Sequence, residues 1–244
     1  MVKFNLHYIN EPLLKYGNWV KIEFDGDPEA DVISHLNHNY PEALRLAQKE
    51  KINKIEIEFP SSWNRLPNDL QKLGFLPALK SYLLSSSLFS PPPPPSPNLI
   101  SDIPKFNDLL PILQEQSYYH SQLYPDYYKS TADIDWTYYR QYLEFDLRQS
   151  SSIFQTYLNT DHQPAGFIFG GLVGNRVNLW ELIVTTASRS HGIGGQLLTQ
   201  FIGQCQKRRQ VEDIEVETGW NQPAANFYLK YGFTPYHDTW YQNI

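Results

Sequence analysis

Three glycines within four positions, Gly192, Gly194 and Gly195, stand where an apolar, β-branched run ends and helical spacing begins. The run is Arg176 to Val184, and beyond the turn Gln196 to Ile202 repeat their apolar side chains at helical steps. The chain therefore passes from strand to helix through glycine. At a helix N-terminus the first backbone N–H groups lack intrahelical partners and the dipole is positive, and glycine lets a ligand approach the main chain. Such a turn suits a phosphate, although glycine also serves as an ordinary turn former. A nucleotide P-loop does not fit, because Gly195 is followed by Gln196 and Leu197 rather than by lysine and a hydroxyl residue. The dinucleotide pattern fails too, since Gly192-Ile193-Gly194 lacks a third glycine at the required spacing.

Arg189 to Gly194 reads RxxGxG, five residues after the valine of Glu181-Leu182-Ile183-Val184, and Asn221 to Phe233 reads NxxAxxFYxxxGF after a strand at Asp213 to Glu217. Together, in this order, the two motifs resemble the GNAT superfamily of acyl-CoA N-acyltransferases over residues 98–244. The resemblance implies an α/β (α+β) fold: a mixed, mostly antiparallel sheet with helices on both faces. It implies acetyl-CoA as cosubstrate. The amides from Arg189 through His191, Gly192, Ile193 and Gly194 to Gly195 would hold the pyrophosphate. Ile183 and Val184 would offer backbone groups to the pantetheine arm in a gap between two strands, and Asn221 would steady the coenzyme. One position departs from the pattern, Thr186, where many members carry proline.

Acyl transfer to an amine needs a held donor, a neutral amine, an oxyanion stabiliser and a proton for the departing thiolate. Tyr228 is the candidate acid, because a phenol near pKa ~10 lies only modestly above a thiol near ~8.5. The alternative is that it packs, as its neighbours Phe227 and Phe233 are expected to do. Glu181 is the candidate base, drawing a proton through one water, or else a surface carboxylate on its strand. His191 reads as a loop side chain. His35 and His38 stand three apart in a helical stretch without further ligands nearby, so no metal is expected. Cys205 is the sole cysteine; this allows no intramolecular disulfide, fits a reducing compartment and offers no placed nucleophile.

Ser90 to Pro97, with five consecutive prolines, is a stiff polyproline II stretch that divides the sequence into 1–90, a linker at 91–97, and 98–244. Upstream, Asn18 to Phe24 and Ile52 to Phe59 alternate as strands, and Asp31 to Lys49 is helical with Pro41 as a break or new start. Pieces of this half repeat downstream. Lys54 to Glu58 echoes Asp213 to Glu217, Trp63-Asn64 echoes Trp220-Asn221, and Leu73-Gly74-Phe75 echoes Tyr231-Gly232-Phe233. The first half thus reads as a degenerate half of the same fold, with Leu70 where Tyr228 would be and no phosphate turn. This order, with aromatic helices after the prolines and Trp240-Tyr241 near the end, resembles the dTDP-fucosamine acetyltransferases. That likeness implies a nucleotide-linked amino sugar as acceptor. A protein N-terminus, a polyamine, an antibiotic amine, or a coenzyme-A-binding module without turnover stay open.

Between Ser117 and Phe145 aromatic residues are dense. Ile134, Tyr138, Tyr142 and Phe145 share a helical stripe expected to face the core. Tyr124, Asp126 and Tyr127 fall in a turn that would border the acceptor, with Asp126 or Asp133 drawing an amine; packing against the first half is the alternative. The 20 basic and 26 acidic residues leave a net charge of −6 and no electrostatic footprint for nucleic acid. No run approaches the ~20 apolar residues of a membrane span, and the N-terminus lacks a secretion signal. The expectation is a soluble, cytoplasmic protein acting on a small-molecule amine, without nucleic-acid or membrane partners; a homodimer is compatible with it.

Overall fold

The computed structural model describes residues 3–10, 18–25, 32–125, 128–220 and 223–244. In chain order its elements are β1 (Lys3–Asn10), β2 (Asn18–Asp25), α1 (Val32–Glu50), β3 (Lys54–Pro60), α2 (Leu66–Lys72), β4 (Leu76–Ser85) and β5 (Leu99–Ile100). There follow α3 (Phe106–Leu123), α4 (Trp136–Leu147), β6 (Ser152–Leu158), β7 (Pro164–Val173), β8 (Arg176–Val184), α5 (Ile193–Gln206), β9 (Asp213–Gly219), α6 (Ala224–Lys230) and β10 (Thr234–Asn243). The fold is mixed α/β with a mostly antiparallel sheet. The strand read from Arg176 to Val184 is β8, the glycine turn opens α5, and α1 runs through Pro41 without a break. No helix among the described residues is long and apolar enough to cross a membrane.

The chain divides into two compact units, residues 1–82 with 217–244, and residues 83–216. In the first, the strand order is β1-β2-β3-β10-β4. Ile55, Ile57 and Phe59 alternate into its core beside Val20, Ile22 and Phe24, and Leu36, Ala43 and Ala47 of α1 are buried at helical spacing. The intervening β3 residues form an ionic face, where buried Lys54 and Glu56 pair at 2.6 Å and Glu58 pairs with Lys21 at 2.6 Å.

The repeated sequence pieces have matching geometry. Gly74 and Gly232 both have φ +86°, and each ends a seven-residue helix. Phe75 N–H donates to Leu70 O at 3.0 Å, and Phe233 N–H to Tyr228 O at 3.2 Å. Their strands are exchanged, however. β10, which follows α6, pairs antiparallel with β3 from His237↔Pro60 to Asn243↔Lys54, while Trp220 N–H at the end of β9 donates to Ala78 O of β4 at 3.1 Å. The C-terminal segment therefore belongs to the first unit.

In the second unit the order is β9-β8-β7-β6-β5, with β8 and β9 parallel and the other described pairs antiparallel. Phe167, Ile168 and Phe169 are consecutive on β7 and all buried, which requires cover on both sheet faces. Helix α5 supplies one cover: a Cβ added at Gly166 would meet Leu197 Cδ1 at 2.9 Å and Ile193 Cγ2 at 3.1 Å. Helices α3 and α4 bring Leu109, Leu113, Tyr139 and Leu143 to the unit's core. The proline run also belongs to this unit, laid along α5: Gln200 Nε2 donates to Pro93 O at 2.5 Å and Gln206 Nε2 to Ser90 O at 3.0 Å.

The stripe expected from Ile134 is corrected. Ile134 is buried, but Tyr138, Tyr142 and Phe145 are exposed, and the buried stripe of α4 is Tyr139, Leu143 and Leu147. Asp135 caps the helix, accepting from Thr137 N and Tyr138 N, so Ile134 lies outside it in an extended conformation and cannot set its phase. Leu143→Ala is expected to cost about 2–4 kcal/mol in urea unfolding, whereas Phe145→Ala should stay within about 0.5 kcal/mol; equal losses would contradict this burial pattern.

Candidate functional site

The β7–β8 ladder runs to Gly166↔Val184, and Thr185 N–H extends it by donating to Ala165 O at 3.0 Å. A direct bond at that pair fixes the alternation: Ile183 and Glu181 spend their backbone groups on β7, and Leu182 and Val184 turn theirs to the opposite edge. Of the two residues expected to offer backbone groups, Val184 alone has this direction, and its carbonyl accepts from Arg189 Nε at 3.0 Å. The β8–β9 ladder ends at Leu179↔Val216, before that edge is reached.

After Val184 comes a 3₁₀ turn at Thr186–Ser188, extended Arg189, and then two residues of positive φ, Ser190 at 65° and Gly192 at 78°. Helix α5 begins at Ile193, whose buried side chain seats it against β7, and its first internal bond is Gln196 N–H to Gly192 O at 3.0 Å. Among the described residues, the N–H groups from Ser190 to Gly195 donate to no protein acceptor. Four of them, from Gly192 to Gly195, are the orphan donors any helix start leaves, and Ser190 and His191 add two further amides just before them. Ser190, His191 and Gly192 are exposed, Gly194 and Gly195 are half-buried, and Ile193 is buried. The residues present thus fit an anionic group held by main-chain N–H.

The side chain of Arg189 is exposed but tied locally. Besides its bond to Val184 O, it lies over the Tyr119 ring at 5.2 Å and 4.0 Å from Glu115 Oε1. The same Glu115 oxygen accepts from Thr186 N–H at 2.6 Å and from the Thr186 hydroxyl. His191 Nδ1 sits 3.4 Å from Ser188 O.

Glu181 owes its position to a bulge. Phe169 pairs with Glu181 and Gly170 with Leu179, leaving Trp180 as an extra residue on β8. Residues two apart share a face of a regular strand, and the bulge separates them. Leu179 joins the α5 side, and Glu181 turns to the α3 and α4 side. There Gln116 Nε2 donates to Glu181 Oε2 at 2.9 Å and the Tyr139 hydroxyl to Oε1 at 3.3 Å. Gln116, Tyr139 and Glu115 went unnoticed in the sequence because nothing in their spacing ties them to β8.

Tyr228 belongs to the first unit, on α6, 5% exposed and edge-on to Phe227 and Phe233 at 5.3 and 5.4 Å. Tyr124 caps α3, half-buried, with its ring edge-on to Tyr128 at 6.4 Å. Asp133 accepts from the Ser130 hydroxyl at 2.6 Å. Asp126, Tyr127 and Asn221 lie outside the described residues. Cys205 is buried on α5, and burial pushes its thiol up to about 12.

Beside the glycine turn, His120 stands between Tyr119 and Tyr128, with centroids at 6.0 and 5.0 Å. Burial, and then the Arg189 charge, push its pKa from 6.5 down to about 4. A depressed folded value means that the neutral ring's contribution to stability is complete above the unfolded pKa and is lost as pH falls through the folded one. Urea midpoints should therefore fall between about pH 7 and about pH 4, and His120→Phe should flatten part of that fall; an unchanged pH profile in the variant would contradict this environment for His120.

A family model described as the acetyltransferase (GNAT) family matches residues 112–233. In fold, the chain is similar to a GCN5-related N-acetyltransferase from Sphaerobacter thermophilus, with 14% identity, TM-score 0.62 and coverage of 98% of this chain and 76% of that one. It is similar to a tandem GNAT protein of the clavulanic acid biosynthesis pathway, with 15% identity, TM-score 0.59 and coverage of 91% and 75%. A conserved Staphylococcus epidermidis protein of unknown function is also similar, with 14% identity, TM-score 0.57 and coverage of 98% and 95%. No protein of curated function matches the chain significantly. At these identities the structural likeness concerns the fold alone, but the family model spans half the sequence, and the chain belongs to the GNAT acetyltransferase family.

Proposed function

We propose that this protein transfers an acetyl group from acetyl-CoA to a primary amine of a small molecule by direct attack. The observation that carries the reading is the run of N–H groups from Ser190 to Gly195 that, among the described residues, no protein acceptor takes. Acetyl-CoA, when bound, supplies the activated acetyl thioester and a diphosphate. The amides of the glycine turn hold the diphosphate in the positive end of the α5 dipole. The edge of β8 that Leu182 and Val184 face takes amide-bearing chain as an added strand would be taken.

Glu181 is the base in this reading. Its two oxygens are held by Gln116 and Tyr139, which keep the carboxylate oriented while a water relays the proton from the ammonium. Tyr228 as acid and Asn221 as a coenzyme contact rest on the family motif. Cys205, buried and held protonated, is unsuited to forming an acyl-enzyme, and this favours direct attack. A nucleotide-linked amino sugar is the proposed acceptor, with Tyr124, Asp126 and Tyr127 beside it.

Thiol release from acetyl-CoA, followed across a panel of amines that includes amino-sugar nucleotides, tests the reading. Turnover should appear with an amino-sugar nucleotide, and Tyr228→Phe should lower kcat by about 10²–10³ while leaving coenzyme A affinity unchanged. Response only to polyamines or peptides would remove the sugar acceptor. No turnover with any amine, despite coenzyme binding, would make the protein a binding module.

A further inference from the structure

Glu115 lies outside the groups that the proposed reaction uses, yet three contacts converge on one of its oxygens. Thr186 donates to Oε1 with both its backbone N–H, at 2.6 Å, and its hydroxyl, and the Arg189 guanidinium approaches the same atom at 4.0 Å. Thr186 and Arg189 are the first residue of the 3₁₀ turn and the residue just after it, directly before the run of unpaired amides. Arg189 is in turn tied to Val184 O at the end of β8. The segment between strand and helix thus has a fixed point on α3, four residues before the amides begin.

We propose that Glu115 is a positioning residue: through Thr186 and Arg189 it fixes the entry of the glycine turn, so that the amides of Ser190 to Gly195 are oriented for a diphosphate before one arrives. The inference rests on the coenzyme reading given above. The energetics favour a local role. The Glu115 and Arg189 side chains are 37% and 43% exposed, and ion pairs so exposed contribute little to folding. A bond to a charged acceptor nevertheless holds a backbone N–H in one direction, and orienting donors in advance lowers the ordering cost of binding. Ser190, a non-glycine residue at φ 65°, is unfavourable in isolation and needs such external support.

The backbone also supplies an independent way to restore what Glu115 does. Thr185 has φ −53° and ψ 146°, the extended conformation that a following proline demands, and Thr186 opens a helical turn, where a missing N–H is tolerated. A proline at 186 would stiffen the turn covalently without the carboxylate.

Coenzyme A binding by calorimetry, the KM for acetyl-CoA, and melting temperature are measured for the wild type, Glu115→Ala, Glu115→Gln and Glu115→Ala/Thr186→Pro. Glu115→Ala should weaken coenzyme A about tenfold, and raise KM alike, with kcat and melting temperature unchanged. Glu115→Gln, which keeps an acceptor oxygen, should lie between, and the double variant should return to within about threefold of the wild type. Unaltered affinity in Glu115→Ala overturns the inference, as does a double variant that stays weak. A melting temperature that falls in step with affinity in both single variants marks Glu115 as merely structural and also overturns it. If the wild type itself takes up no coenzyme A, the coenzyme reading fails first.

Discussion

The close seating of α5 on β7 governs the rest of the candidate site. Gly166 has no side chain where Ile193 and Leu197 come down, and a Cβ there would meet Leu197 Cδ1 at 2.9 Å and Ile193 Cγ2 at 3.1 Å, so these side chains would have to shift. With that turn held, the four unsatisfied donors of the helix start have a fixed location at the end of β8. Positive φ at Ser190 and Gly192 brings the preceding amides into the same cluster. Burying apolar α5 residues therefore has a chemical by-product, a set of N–H groups that no acceptor among the described residues takes.

A second constraint sorts side chains across the sheet. The extra residue Trp180 lets Leu179 fill the core under α5 while Glu181, two positions on, meets Gln116 and Tyr139. A carboxylate on a regular strand would have followed Leu179 into apolar surroundings, where an unpaired charge is costly. One inserted residue thus makes apolar packing and a polar, partnered carboxylate compatible within a single strand.

What the sequence disclosed and what it hid follow from the range of the interactions concerned. β8, the glycine turn and α5 are local, set by apolar period, β-branching and Gly192, and they stand where the pattern puts them. The matched glycines Gly74 and Gly232 were equally legible, because a left-handed helix end leaves a Gly-Phe pair in the sequence. The bulge at Trp180 was not, since an inserted residue has no composition of its own. The exchange that gives β10 to β3 was hidden as well, because the order of strands depends on pairing between distant segments rather than on any one of them. The α4 stripe departs from the pattern for a local reason: Ile134 precedes the Asp135 cap and does not set the helix phase. Glu115, Gln116 and Tyr139 gained their partners only when α3 and α4 were laid against β8 and the turn beyond it.

The central claim is that the amides of the glycine turn take a diphosphate. A backbone amide NMR titration of the ¹⁵N-labelled protein with coenzyme A addresses it residue by residue. The account predicts that the largest shifts, and new protection from solvent exchange, fall on the amides from Ser190 to Gly195. Saturable binding that leaves those amides unshifted, or their strong protection from exchange before any coenzyme is added, would contradict it.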